Sequence, residues 1–158
     1  MKEFQFVSGS EEETREIASL LSPLFRAGDV IVLDGELGAG KTCFVKGFAE
    51  ARGCTGEVTS PTFSIANFYR TTGEEILHVD LYRVETTGEY EDLGLEDYFP
   101  RVVTLVEWGL KFPGWLDASL VVSFRREAGS DRRVMTFRCP GERLDVEKLA
   151  SRLTLFPC

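Results

Sequence analysis

The run "VIVLDGELGAGKTCFVKGF", residues 30–48, constrains the fold more than any other stretch of the chain. Its first six residues are almost wholly apolar, as in a strand covered on both faces of a parallel sheet. Glycines at 35, 38 and 40 follow, and then an amphipathic segment that buries Phe44, Val45, Phe48 and Ala49. Gly35, Gly40, Lys41 and Thr42 fit the phosphate-loop pattern G-x-x-x-x-G-K-[ST] in its required setting, strand before and helix after. The glycines allow close backbone approach to a ligand. Free N–H groups at the helix start, with the helix dipole, favour phosphate. The cradle is therefore expected to comprise Gly35, Glu36, Leu37, Gly38, Ala39 and Gly40 with Lys41, Thr42 and Cys43. Lys41 is expected to reach the β- and γ-phosphates, and Thr42 to hold Mg²⁺.

Such a loop needs a carboxylate at the end of a neighbouring strand to hold Mg²⁺ or its waters. Asp80 ends "ILHVD" and Glu107 ends "VVTLVE". Both positions suit the ligand crevice at the carboxyl ends of parallel strands. Two acids suggest a division of labour, one anchoring metal and the other orienting or deprotonating a water. The residues do not say which does which. His78, two residues before Asp80 on the same strand face, reads as a satisfied core histidine rather than a catalytic one. "TSPTF" (59–63) is either a plain turn or a switch-like loop whose Thr62 meets Mg²⁺ and the γ-phosphate. Arg83, Arg132 and Arg133 are the candidates for an arginine finger.

The remaining elements follow from periodicity. "EFQFV" alternates as a strand. "SEEETREIASLLSPLF" reads as a helix with a Ser10–Glu13 capping box and an apolar stripe of Ile17, Leu20, Leu21 and Leu24. "SIANFYR" and "EILHVDLYR" are strands joined at "TTGE". "ETTGEYEDLGLEDYF" is a helix broken at Gly94, and "VVTLVEW" a buried strand. "SLVVSFRRE" and "RRVMTFRC" pair across "AGSD", and "DVEKLASRL" closes the chain as a helix. Strands alternating with helices predict one α/β domain over residues 1–158. Its expected class is P-loop NTPase-like: a mainly parallel sheet flanked by helices, with antiparallel additions at the edge.

Composition narrows the function. The net charge is −8, and no basic stripe of the kind that grips nucleic acid is visible. No apolar run approaches the ~20 residues of a membrane span, and the N-terminus carries no signal-peptide core, so a cytosolic (cytoplasmic) protein is expected. The four cysteines contain no C-x-x-C pair and His78 is the sole histidine, so a structural zinc site is not expected. The only asparagine, Asn67, precedes Phe68, so the N-K-x-D guanine signature is missing and ATP is the expected nucleotide.

"GELGAGKT", "SPTF", "HVDLYR", "EDLGLEDYF" and "LVEWG", in this order, closely resemble the TsaE family, also known as YjeE. The resemblance runs from about residue 10 to the hairpin near residue 137, and the tail after Gly141 matches weakly. It implies an ATPase subunit required for threonylcarbamoyladenosine modification of tRNA. By resemblance the partners are TsaD and TsaB, whose turnover it would drive, with tRNA met only through that complex. Isolated hydrolysis is then expected to be slow. Carried over, Lys41 and Thr42 bind phosphate and Mg²⁺, Glu107 matches a metal-associated glutamate, and Asp80 matches an aspartate implicated in hydrolysis. Trp108 matches a tryptophan beside the nucleotide, its alternative being a core aromatic. Arg133, Ser10 and Thr14 are further candidates for nucleotide contacts. The alternatives in other classes are a P-loop small-molecule kinase and a nucleotide-gated binding module.

Overall fold

A computed structural model describes residues 3–154. Seven strands form one sheet: β1 (Glu3–Ser8), β2 (Val30–Asp34), β3 (Ala66–Tyr69), β4 (Ile76–Asp80), β5 (Val103–Glu107), β6 (Leu120–Arg126) and β7 (Arg133–Arg138). Four helices accompany them: α1 (Glu11–Leu21), α2 (Lys41–Glu50), α3 (Thr87–Asp92) and α4 (Val146–Leu153). The strand order is β1-β7-β6-β2-β5-β4-β3. The central four strands, β6-β2-β5-β4, run parallel. Antiparallel strands extend both edges: β3 on one side, β7 and β1 on the other. The antiparallel additions expected at the edge are thus found at both edges, with β1 returning to pair with β7 of the β6–β7 hairpin.

The apolar run of β2 is explained by its two covered faces. Ile31 and Leu33 enter one core with Ile17, Phe44, Phe48 and Leu149, on the side of α1, α2 and α4. Val30 and Val32 enter a second core with Val79, Tyr90, Leu95 and Phe112 on the opposite face. Within β4 and β5, Ile76, Val103 and Leu105 belong to the first core, which puts His78, Asp80 and Glu107 on that same face by the two-residue alternation.

Local chemistry sets the helix limits. Ser10 caps α1, its hydroxyl accepting from the Glu13 N–H at 3.2 Å. The return bond of the capping box lands one residue early, with the Gly9 N–H donating to Glu13 Oε2 at 2.5 Å. α1 stops at Leu21, short of the expected Phe25, because Pro23 opens a 3₁₀ turn over Ser22–Leu24. Thr14, Ile17, Ala18 and Leu21 form its buried face, while Leu20 and Leu24 are only partly covered. α1 crosses α2 closely: a Cβ at Gly47 would lie 2.1 Å from the Arg15 carbonyl oxygen. Gly94, at φ 63°, ends the α3 region as expected, and 3₁₀ turns over Leu95–Asp97 and Phe99–Arg101 carry the chain into β5.

A clasp closes the rear of the sheet. Asp29, just ahead of β2 and 3% exposed, accepts from Arg143 Nε at 2.6 Å and, at its other oxygen, from the same guanidinium. The Arg26 N–H and the Ser119 hydroxyl complete its shell at 2.8 and 3.1 Å. Among the described residues no helix is long and apolar enough to cross a membrane.

Candidate nucleotide-phosphate site

The loop between β2 and α2 folds as its glycines require. Gly40 caps α2 at φ 114°, and a Cβ there would press within 3.1 Å of the Arg133 side chain. Gly35 sits at φ 151°, and a Cβ would meet the Phe124 carbonyl oxygen at 2.8 Å. Both positions therefore exclude ordinary side chains, by backbone conformation and by space. α2 then opens directly on Lys41 and Thr42, with its first N–H groups free of intrahelical partners.

A cavity of about 310 Å³ lies over this helix start. From the loop and helix it is lined by Leu37, Gly38, Gly40, Lys41, Thr42 and Cys43. Asp80, Glu107 and Trp108 close it from the strand ends, and Ser60, Thr62, Glu11 and Arg133 complete the wall. Asp80 and Glu107 are register partners on adjacent parallel strands, each 3% exposed. Asp80 accepts from Thr62 Oγ1 at 2.9 Å, from Ser60 Oγ at 3.4 Å and from the Tyr82 N–H at 2.9 Å. Glu107 Oε2 stands 2.6 Å from His78 Nε2. The Thr42 hydroxyl and the two carboxylates give an all-oxygen donor set on one cavity, which suits a hard cation such as Mg²⁺.

Lys41 is buried among these acids. Its ammonium donates to the Gly35 carbonyl at 2.5 Å and lies 3.8 Å from the centre of the Trp108 ring. Burial lowers its pKa, and the Glu107, Asp80 and Asp34 carboxylates pull it back up. Trp108 has a left-handed backbone, φ 64°, at the point where the chain leaves β5. Trp108 lines the cavity and also packs on the second core. Tyr82 flanks it at 5.2 Å between ring centres.

Other expected residues lie at different distances from the cavity. Gly35 does not line it, its carbonyl accepting from Lys41, and Ala39 is buried with its carbonyl accepting from Arg133 Nε at 3.1 Å. Glu36 lines a separate cleft beside the β6–β7 turn. Arg133, 4% exposed, is a buttress of the loop as well as part of the wall. Arg132 pairs with Glu127 at 3.8 Å and Arg83 lies 4.2 Å over the Phe63 ring, so neither lines the cavity. Thr14 is fully buried, bonded to Ser8 Oγ at 2.7 Å, and Ser10 is occupied as a cap; neither reaches the cavity. From the same helix start it is Glu11 that lines the cavity. Glu11 went unnoticed because an acid in the first turn of a helix is already accounted for by the helix dipole. Ser60 lacked any signal beyond its place in "TSPTF".

Fold and site together define an α/β protein whose glycine-rich loop opens a helix beneath two adjacent strand-end carboxylates. The chain belongs to the TsaE family: the model described as threonylcarbamoyl adenosine biosynthesis protein TsaE matches residues 8–134. A Bacillus subtilis (strain 168) relative, named tRNA threonylcarbamoyladenosine biosynthesis protein TsaE, is 42% identical over 147 residues, 92% of each chain. The Treponema pallidum (strain Nichols) protein of the same name is 35% identical over 132 residues, 81% of this chain and 96% of its own. The crystal structure of Bacillus subtilis YdiB superposes with a TM-score of 0.78 at 37% identity, covering 98% of this chain and 95% of that one.

Proposed function

We propose that this chain is the ATPase subunit of tRNA threonylcarbamoyladenosine modification, a P-loop NTPase-like domain that binds and hydrolyses ATP with Mg²⁺. On this reading it drives turnover of the TsaB–TsaD complex in the cytoplasm and meets tRNA only through that complex. The observation that carries the reading is the pairing of Asp80 and Glu107 across β4 and β5, on the cavity that the Lys41–Thr42 helix start opens into. The names borne by its relatives supply the pathway.

In this scheme the α2 N–H groups and the Lys41 ammonium hold the phosphates. Thr42 and Glu107 would hold Mg²⁺, which when bound screens phosphate charge. Asp80 would orient or deprotonate the attacking water, a role that its bonds from Thr62, Ser60 and the Tyr82 N–H support. Trp108 walls the cavity beside Lys41.

The deciding measurement is ATP turnover with and without TsaB–TsaD and tRNA, the γ-phosphate being traced by radiolabel. The reading expects free phosphate and faster release in the complex. Label on a small metabolite would instead make the chain a kinase. Lys41→Ala should lose tight ATP binding, since a charged donor is removed. Normal hydrolysis by that variant in the full complex would discard the site. Asp80→Asn should bind ATP yet hydrolyse it about 100-fold more slowly; full activity in the complex would reduce the chain to a nucleotide-gated binding module.

A further inference from the structure

Both strand-end carboxylates are tied to one loop, residues 59–62, by separate hydrogen-bonded routes. Asp80 is held directly by Thr62 and Ser60. Glu107 is reached by a longer chain. The Thr59 carbonyl accepts from the Tyr69 hydroxyl at 3.0 Å, the Tyr69 oxygen meets His78 Nδ1 at 2.9 Å, and His78 Nε2 meets Glu107 Oε2 at 2.6 Å. His78 is fully buried, and Tyr69 and Glu107 nearly so. A phenol has one proton. Shared between the Thr59 carbonyl and Nδ1, both of which accept from it, it leaves the ring's own proton on Nε2, which donates to the Glu107 carboxylate.

The route crosses strands. Asn67 of β3 lies opposite His78 of β4, so Tyr69 is the diagonal neighbour of His78 on one sheet face. His78 in turn pairs in register with Leu105, two residues before Glu107 and on its face. An imidazole serving only to fill core would need no carboxylate partner. This one takes Oε2 of a residue that lines the cavity, and so sets which way that carboxylate turns.

We propose that His78 is a positioning residue: with Tyr69 it fixes the orientation of the Glu107 carboxylate in the cation site and ties that orientation to the backbone of loop 59–62. The inference rests on the Mg²⁺–ATP reading of the site and deepens it. It makes loop 59–62 the common support of both acids, so a displacement of that loop acts on Asp80 and Glu107 together. The partners of metal-bound groups commonly affect metal affinity by ~10–100-fold, and the effect here is expected in the Mg²⁺ requirement rather than in the affinity for the nucleotide itself.

The test titrates MgCl₂ against the full chain with ATP, reading binding by calorimetry, with melting temperature recorded alongside. His78→Asn leaves an amide near Nδ1 for Tyr69 and nothing for Glu107; it should need at least ~10-fold more Mg²⁺. His78→Gln carries its amide to the Nε2 position and should stay within about threefold of the parent, since the contact to Glu107 is restored. Binding of ATP without Mg²⁺ should be alike in the two variants. Equal Mg²⁺ requirements in Asn and Gln overturn the proposal, since a merely structural histidine would lower both melting temperatures without separating them. Should the histidine variants not fold, Tyr69→Phe decides: the proposal expects a rise of about threefold or more, a smaller share of the same outer-shell effect, and an unchanged requirement overturns it. A parent chain that binds no ATP with Mg²⁺ present would instead overturn the functional reading.

Discussion

Cys43 follows Thr42 in the first turn of α2 and lines the cavity. Burial raises its thiol above the ordinary 9.0, and the neighbouring Glu11 carboxylate adds to the rise, outweighing Lys46, Arg133 and Arg15. The helix N-terminus alone would have pushed the other way, so at this residue desolvation and a nearby acid win. The thiol should alkylate slowly with iodoacetamide at pH 8, and more slowly still with ATP present, as followed by mass spectrometry of the Cys43 peptide. A rate equal to that of a free thiol would contradict this burial. The linked stability has a definite sign. The folded chain holds the proton more tightly than the unfolded one, so the contribution is present below pH 9.0 and is lost as pH rises from 9.0 through the raised folded value. Cys43→Ala should therefore flatten the decline of the urea midpoint above pH 9.

At the scale of elements, the crossing of α1 over α2 depends on Gly47. The Ser19 hydroxyl donates to the Gly47 carbonyl at 2.9 Å, and the Arg15 backbone lies where a Cβ would go. Gly47→Ala must part the two helices and should cost about 3 kcal/mol of stability, read from denaturant unfolding. The same mutation should leave the Asp80 and Glu107 strand ends in register, because those lie on β4 and β5. Much of this layout was legible beforehand. The nearly continuous apolar runs of β2 and β5 announced strands covered on both faces, and Gly94 and the "AGSD" turn marked real breaks. What escaped depends on register and on distant packing. Tyr69 lies in a stretch that reads only as a strand, and its tie to His78 exists because β3 pairs with β4 in one alignment. Thr14 looked polar and available on a helix near the loop, yet Ser8 from β1 covers it. The end of α1 at Leu21 is masked in the sequence because the apolar stripe runs on through Leu24 while Pro23 has already changed the helix type. For the candidate site, the loop and its two acids could be named from spacing. Glu11, Ser60 and the histidine relay required the cavity itself.

At the scale of the whole molecule, the parallel centre separates two tasks along the strand axis. The glycine-rich loop, Asp80 and Glu107 stand where β2, β4 and β5 end. The Asp29–Arg143 clasp stands where β2 begins and draws the segment after β7 back onto the sheet. Arg143→Ala strands a buried carboxylate with one backbone and one hydroxyl donor, and should cost ~2 kcal/mol. Differential scanning calorimetry should show a lower melting temperature, while ATP affinity, read at the opposite end of the strand, should stay within about twofold, as for independent sites. A large drop in affinity would mean that the two ends communicate. β2 spans roughly 17 Å between clasp and loop, five residues at strand rise. The clasp fastens that strand at its root alone. Its other end leads straight into the loop, where Leu37 is the large apolar side chain of the cavity wall left open to solvent.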